Sequence, residues 1–207
     1  MSEAKQARQP MRLGELLLLA FLWMLFGFML WYYLSAFHSI PVRLAVEQLL
    51  SSTLGENINR LIPNPDKHYL IQVETQIPFN FPDGTTEALG FIINPLIYGY
   101  GLPLLFGLVM ASNTTLIQKL VTLLVGYIAI MLVQIWGVYW QSLKMLMFDF
   151  GPDAQQLIQD AGISATAIAL SYQLGALIFP ALAPVIVWVL ASWREVELFI
   201  GRPLKRS

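Results

Sequence analysis

Apolar residues gather into four long runs along this chain: Leu16–Phe37, Gly90–Met110, Leu116–Trp140 and Ile163–Trp193. Charges are kept out of their interiors, with Lys119 at the edge of the third. A helix needs roughly 20 apolar residues to cross about 30 Å of hydrocarbon, and each run is that long. None carries the polar face of a helix half-buried in a soluble core. The pattern predicts an all-α membrane protein with four transmembrane helices, at residues 15–37, 90–110, 116–141 and 163–193. Residues 1–14 and 194–207 are then tails, 111–115 a tight turn and 142–162 a loop holding a short helix.

The polar interval 38–89 reads differently, as a small helix plus a β-hairpin. From Pro41 to Leu54, Leu44, Val46, Leu49, Leu50 and Leu54 recur at near-helical spacing, while Arg43, Glu47 and Ser51 take another face. Pro41 suits a first turn and Gly55 a stop. Pro63-Asn64-Pro65-Asp66 marks a turn. Tyr69, Ile71, Val73, Thr75 and Ile77 then alternate with Gln72, Glu74 and Gln76, the period of a strand. A loop with Asp83-Gly84 leads to a return strand at Glu87–Ile93. Two strands alone are marginal in water, so the hairpin is expected to rest on the helix, on lipid headgroups or on a partner. Further on, Thr115 and Gln118 have capping-box spacing. Gly151-Pro152-Asp153 opens a short helix that Gly162 closes.

Composition supports the membrane reading: hydrophobic residues are 57% and charged ones 12%, against about 25% charged in soluble domains. The absence of cysteine excludes disulfides, thiolate catalysis and cysteine-held metal. With four spans, Lys5, Arg8, Arg12, Lys119, Arg194, Arg202, Lys205 and Arg206 share one side, and Arg43, Arg60, Lys67 and Lys144 the other. The positive-inside rule then puts both termini in the cytoplasm. Trp31, Tyr32, Tyr33, Tyr98, Tyr100, Trp136, Tyr139 and Trp140 are expected in an outer aromatic belt, with Trp188 and Trp193 at the inner interface. The first run exceeds a signal-peptide core and no small-x-small site follows, which reads as an uncleaved anchor.

Candidate chemistry is sparse. Asn94-Pro95 and Leu102-Pro103 interrupt the second run, since each proline removes an N–H and clashes with the carbonyl four residues back. Two readings stand. In one, freed carbonyls with Tyr98 and Tyr100 contact a partner or ligand, because unpaired backbone at this depth needs a protein or water neighbour. In the other, Asn94-Pro95 ends the strand and starts the span, and Gly99 and Gly101 let a neighbouring helix approach. Pro180 and Pro184 break the fourth run after Ser171, Tyr172 and Gln173, as a kink or as half of a carrier-like site. Gln134, Tyr172 and Gln173 are candidate intramembrane polar contacts, the glutamines as glue between helices. His38 and His68 are placed outside, with no metal-ligand spacing to Glu47, Asp66 or Glu74. No serine stands in a nucleophile motif. The reading is of a non-enzyme with no catalytic residue, metal or cofactor, and no nucleic-acid partner.

The string INPLIYGYGLPLLFGLVMAS at residues 93–112 resembles the exosortase H-associated membrane proteins of Gram-negative bacteria. The strand around Ile71–Ile77 and LWYYLSAFHSIPV at Leu30–Val42 share in the likeness. The resemblance covers roughly residues 20–112, and the second half agrees only in hydropathy. It implies a non-catalytic accessory or scaffold in the inner membrane, assisting an exosortase-type protein-sorting enzyme, with membrane lipid and that enzyme as partners. Such an enzyme uses a cysteine, which this chain lacks. Asn94, Pro95, Tyr98, Gly99, Tyr100, Gly101 and Pro103 are then the expected partner contacts. The alternative is a small lipid or small-molecule carrier built on the broken helices two and four.

Overall fold

The computed structural model describes residues 13–80, 84–193 and 196–197. Expectations for Lys5, Arg8, Arg12, Asp83, Arg194, Arg202, Lys205 and Arg206 lie outside those residues.

Among the described residues, three helical stretches are long and apolar enough to cross a membrane: Leu13–Tyr33, Leu116–Phe148 and Ala165–Ala191. The first is α1 (Leu13–Tyr33) and the second α4 (Leu116–Phe148). The third is α6 (Ala165–Gln173), a π turn at Leu174–Ile178, and α7 (Phe179–Ala191). The interruption ascribed to Pro180 is thus a local widening before it. Proline cannot supply the N–H that a regular α turn needs, and the backbone loosens by one residue to accommodate it.

The second apolar run is not one helix. Gly90–Ile93 finish a strand, Pro95–Tyr98 form a 3-10 turn, and only Gly101–Ala111 are α-helical, as α3. Eleven residues rise about 17 Å, short of a crossing. Proline and glycine crowd between Asn94 and Pro103, so helical hydrogen bonding becomes regular only past Tyr100. The half-box at Thr115 is made, its hydroxyl accepting from Gln118 N at 3.3 Å. The Gln118 side chain reaches instead to the Ala191 carbonyl, at 2.8 Å.

Where a helix and a hairpin were expected, the chain builds a fuller cap. Helix α2 (Ser35–Leu54) follows α1 almost without interruption, since Leu34 N bonds Leu30 O and His38 N bonds Leu34 O. Pro41 lies inside α2 instead of opening it. Three strands follow, β1 (Ile58–Pro63), β2 (Ile71–Asn80) and β3 (Thr86–Ile93), antiparallel in the order β1-β2-β3. The alternation read in β2 holds, with Ile71, Val73, Thr75 and Ile77 buried. Strand β1 escaped notice because its inward residues, Ile58 and Leu61, are three apart, where a bulge shifts its register against β2. Arg60 and Glu74 pair across that ladder at 2.6 Å. The hydrogen bond to Glu74, and then its charge, raises the Arg60 guanidinium above its ordinary value.

The core of the cap is conventional. Val42, Val46, Leu50 and Leu54, four residues apart on α2, meet the inner face of the sheet and Val138, Leu143 and Leu146 of α4. Ala154 and Ile158 of α5 (Pro152–Asp160) close it. The α2 face expected from Leu44 and Leu49 is thereby corrected: both are exposed, at 55% and 41%. Arg43 Nη1 donates to the Leu61 carbonyl at 2.6 Å, and Leu61 N donates to Glu47 at 3.0 Å. Two charged side chains therefore occupy backbone groups that an edge strand otherwise leaves open.

Candidate functional site

The segment Asn94–Pro103 is the joint between the cap and the apolar helices. Asn94 caps the 3-10 turn, its Oδ1 accepting from Leu96 N at 3.0 Å, with Pro95 in the first position. The Pro95 carbonyl turns to α4 and accepts from Gln134 Nε2 at 3.1 Å. A carbonyl freed by the broken backbone thus finds a side chain of this same protein. The Gln134 amide also meets His38 Nε2 through Oε1 in a short hydrogen bond, and His38 Nδ1 lies 3.2 Å from the Tyr127 hydroxyl. With Gln134 Nε2 spent as donor on Pro95, its oxygen must accept, so the proton of a neutral His38 sits on Nε2. Nδ1 then accepts from Tyr127. One chain of hydrogen bonds, Tyr127–His38–Gln134–Pro95, ties α4, α2 and the joint together.

Aromatic and glycine residues complete the joint. Tyr98 is fully buried and donates to Gln141 Oε1 at 2.9 Å. Its ring lies on Gly137, where a Cβ would overlap Tyr98 Cδ1 and approach Cε1 to 2.7 Å. Gly99 leaves room for the Gln134 amide, whose Cδ would stand 2.8 Å from a Cβ there. Gly101 faces the Pro180 carbonyl and Pro184 Cγ, the latter 3.2 Å from a Cβ at that position. The glycines are therefore points of close approach between α4, the joint and α7. Trp136 Nε1 donates to the Ser171 carbonyl at 3.0 Å, just before the π turn.

Of the expected contact residues, Pro95, Tyr98, Gly99, Gly101 and Pro103 are buried, and Asn94 and Tyr100 are half-buried. Tyr98 accordingly belongs to the core and not to an aromatic belt. Among the expected polar contacts, Gln134 is wholly buried in the network, Tyr172 is half-buried near Tyr98, and Gln173 is exposed. His38, expected outside, is 6% exposed and sits among apolar helices. Sequence reasoning weighed His38 only as a metal ligand and passed over Tyr127. An ionisable side chain adjoining a transmembrane run, with a glutamine deep in another, is the signal that marks such a pair. Among the described residues no cluster of three or more His, Cys, Asp or Glu is placed to hold a metal ion.

One more surface belongs to this region. Tyr33, Phe37, Ile40 and Leu44 follow at spacings of four, three and four along the α1–α2 junction. They are 83%, 73%, 45% and 55% exposed. Residues so spaced share a helix face, so a continuous apolar and aromatic stripe runs from the end of α1 along the cap.

A family model described as exosortase H-associated membrane protein matches residues 10–195. No curated protein and no solved structure matches the chain.

Proposed function

This chain belongs to the exosortase H-associated membrane protein family, and from that membership we propose that it is a non-catalytic accessory or scaffold beside an exosortase-type enzyme in the bacterial inner membrane. Both termini face the cytoplasm in this reading, and the cap of α2, the sheet and α5 lies outside. Helix α3 makes a fourth crossing together with the 3-10 turn and the extended residues before it. The sequence supports that orientation by count, with Lys5, Arg8, Arg12, Lys119, Arg194, Arg202, Lys205 and Arg206 on the inner side against Arg43, Arg60, Lys67 and Lys144 on the cap side.

The observation that carries the reading is the exposed stripe Tyr33–Phe37–Ile40–Leu44. Large apolar side chains lined up on one face mark an interaction site. Here they continue from a membrane-length helix onto a packed cap, the position from which to hold a membrane enzyme near the outer leaflet. The Asn94–Pro103 segment serves as the joint that fixes that face, and Asn94 and Tyr100 are its half-exposed edge.

The test is native purification from the host membrane of wild type and of Phe37→Ser with Leu44→Ser, followed by identification of retained proteins. An exosortase-type enzyme retained by wild type and lost from the variant at equal expression supports the reading. Retention by both moves the contact off the stripe. Its absence from both overturns the accessory role.

A further inference from the structure

The sheet of the cap has two edges, and the chain treats them differently. On β1 the N–H and C=O of Leu61 point away from β2, since Glu47 accepts from the one and Arg43 donates to the other. In an antiparallel ladder a residue's two groups point the same way, and the direction alternates along the strand. Leu61 stands opposite Val73, so the Val73 groups point to β3, where Phe91 is opposite and pairs with them. The hydrogen bond from Asn64 N to the Leu70 carbonyl fixes the same phase. Gly90 and Ile92, on either side of Phe91, therefore aim their N–H and C=O outward from the sheet. Both residues are exposed, and no other described residue bonds to those backbone groups. Strand β3 has no proline, and its one charge, Glu87, is near its start, so the devices that blunt an edge are missing here. We infer that this edge of β3 receives an extended segment of another polypeptide as a fourth strand, hydrogen-bonded to Gly90 and Ile92.

The edge sets the chemistry of its occupant. Its donor and acceptor pairs recur about 7 Å apart, the two-residue repeat of a strand, and an extended backbone matches that row donor for acceptor. A lipid tail has no such groups, and a helix has spent its own internally. Side chains narrow the fit. Residues of the added strand opposite Gly90 and Ile92 share their outer face, where Gly90 offers no side chain and Ile92 a branched one. An aromatic residue opposite Gly90 and a β-branched one opposite Ile92 cover that face. A second copy of this chain does not fit. Two-fold-related edges in one sheet run antiparallel, whereas β3 leads through the joint into α3, so copies sharing a membrane hold it in one direction. Pairing β3 of one copy with β1 of the next fails too. The Leu61 groups are spent on Glu47 and Arg43, and Pro63 has no N–H.

The experiment presents a display library of random short peptides to the full chain in lipid nanodiscs. No enzyme is present, so the result stands apart from the accessory role. Enriched peptides are expected to alternate β-branched and aromatic residues and to lack proline. The leading peptide, made synthetically, is expected to slow exchange of the Gly90 and Ile92 amides about tenfold, with little change at Phe91, which β2 already holds. N-methylation of alternate peptide amides is expected to abolish binding in one phase and spare it in the other. Gly90→Pro removes an outward N–H that the β2–β3 ladder does not use. It is expected to melt like wild type and to bind the peptide about tenfold more weakly. Should Gly90→Pro unfold early, the N-methyl series still decides. A leading peptide that leaves both amides unprotected overturns the proposal, as does N-methylation that acts alike in both phases. Protection of both amides without peptide, rising with protein concentration, also overturns it and gives the edge to a second copy.

Discussion

The side-chain amide of Gln134 stands 3.1 Å from the carbonyl of Pro95, joining the middle of α4 to the irregular backbone that leads from β3 into α3. The same side chain holds His38. Replacing it by leucine leaves the Pro95 carbonyl and the His38 ring buried without their partner. Gln134→Leu is therefore expected to destabilise the fold by about 1–3 kcal/mol, read as earlier thermal unfolding in detergent. A melting profile equal to wild type would mean that water or lipid takes over both bonds.

Glycines at close approaches and glycines in open space are expected to respond oppositely to alanine. At Gly137 a Cβ meets the Tyr98 ring, and at Gly101 it meets the Pro180 carbonyl. Gly137→Ala and Gly101→Ala are each expected to cost about 1–3 kcal/mol through overpacking. Gly14, in the first turn of α1, has nothing within 4 Å of such a Cβ. Gly14→Ala is expected to be neutral or slightly stabilising by helix propensity. Thermal unfolding of the three variants side by side checks the contrast.

Glu47 and Arg43 hold the two backbone groups of Leu61, and hydrogen exchange reads the donor directly. In Glu47→Ala the Leu61 amide loses its acceptor. Its exchange is expected to quicken about tenfold, the effect of a hydrogen bond to a charged group, with the β2–β3 ladder unchanged. Uniform acceleration across the sheet would instead mean that the pair supports the whole cap.

The membrane arrangement is open to labelling because the chain has no cysteine. Lys67→Cys and Gln156→Cys are expected to react with an impermeant maleimide from outside intact cells. Thr114→Cys, in the turn between α3 and α4, is expected to react only after permeabilisation. Reaction of all three from outside would remove the crossing assigned to α3 and the joint.

Long uninterrupted patterns were readable in the sequence, and close approaches were not. Runs of apolar residues marked α1, α4 and α6–α7, and strict alternation marked β2, because each feature repeats over many positions. The capping residues Thr115 and Gly151 also stand where read. Strand β1 was missed because a bulge breaks its period. The run at Gly90–Met110 was given the bounds of one span from hydropathy, although Asn94-Pro95 was also read as the end of the strand, which is where β3 stops. The network around Gln134 joins residues up to 96 positions apart, and no local pattern connects His38 with Gln134. Gln134 was singled out in the sequence as a polar residue deep in an apolar run, but its partners His38 and Pro95 were not. The exposed stripe went unseen because α2 is apolar on two faces, and only the packing of Val42, Val46 and Leu50 tells which one is spent on the core.

Helix α4 has 33 residues, about 50 Å of rise, where a bilayer core asks for about 30 Å. In the proposed membrane arrangement its outer third is a mast, and Leu143 and Leu146 near its tip pack against the sheet and α5. The altitude of the cap above the lipid is therefore set by a count of residues in one stiff rod. Adding four residues to that mast lifts the cap by about 6 Å while turning it little more than one full revolution, whereas adding two swings it to the far side. A protein whose task is to meet another at a fixed level over the membrane would tolerate substitution along this rod far better than a change in its length.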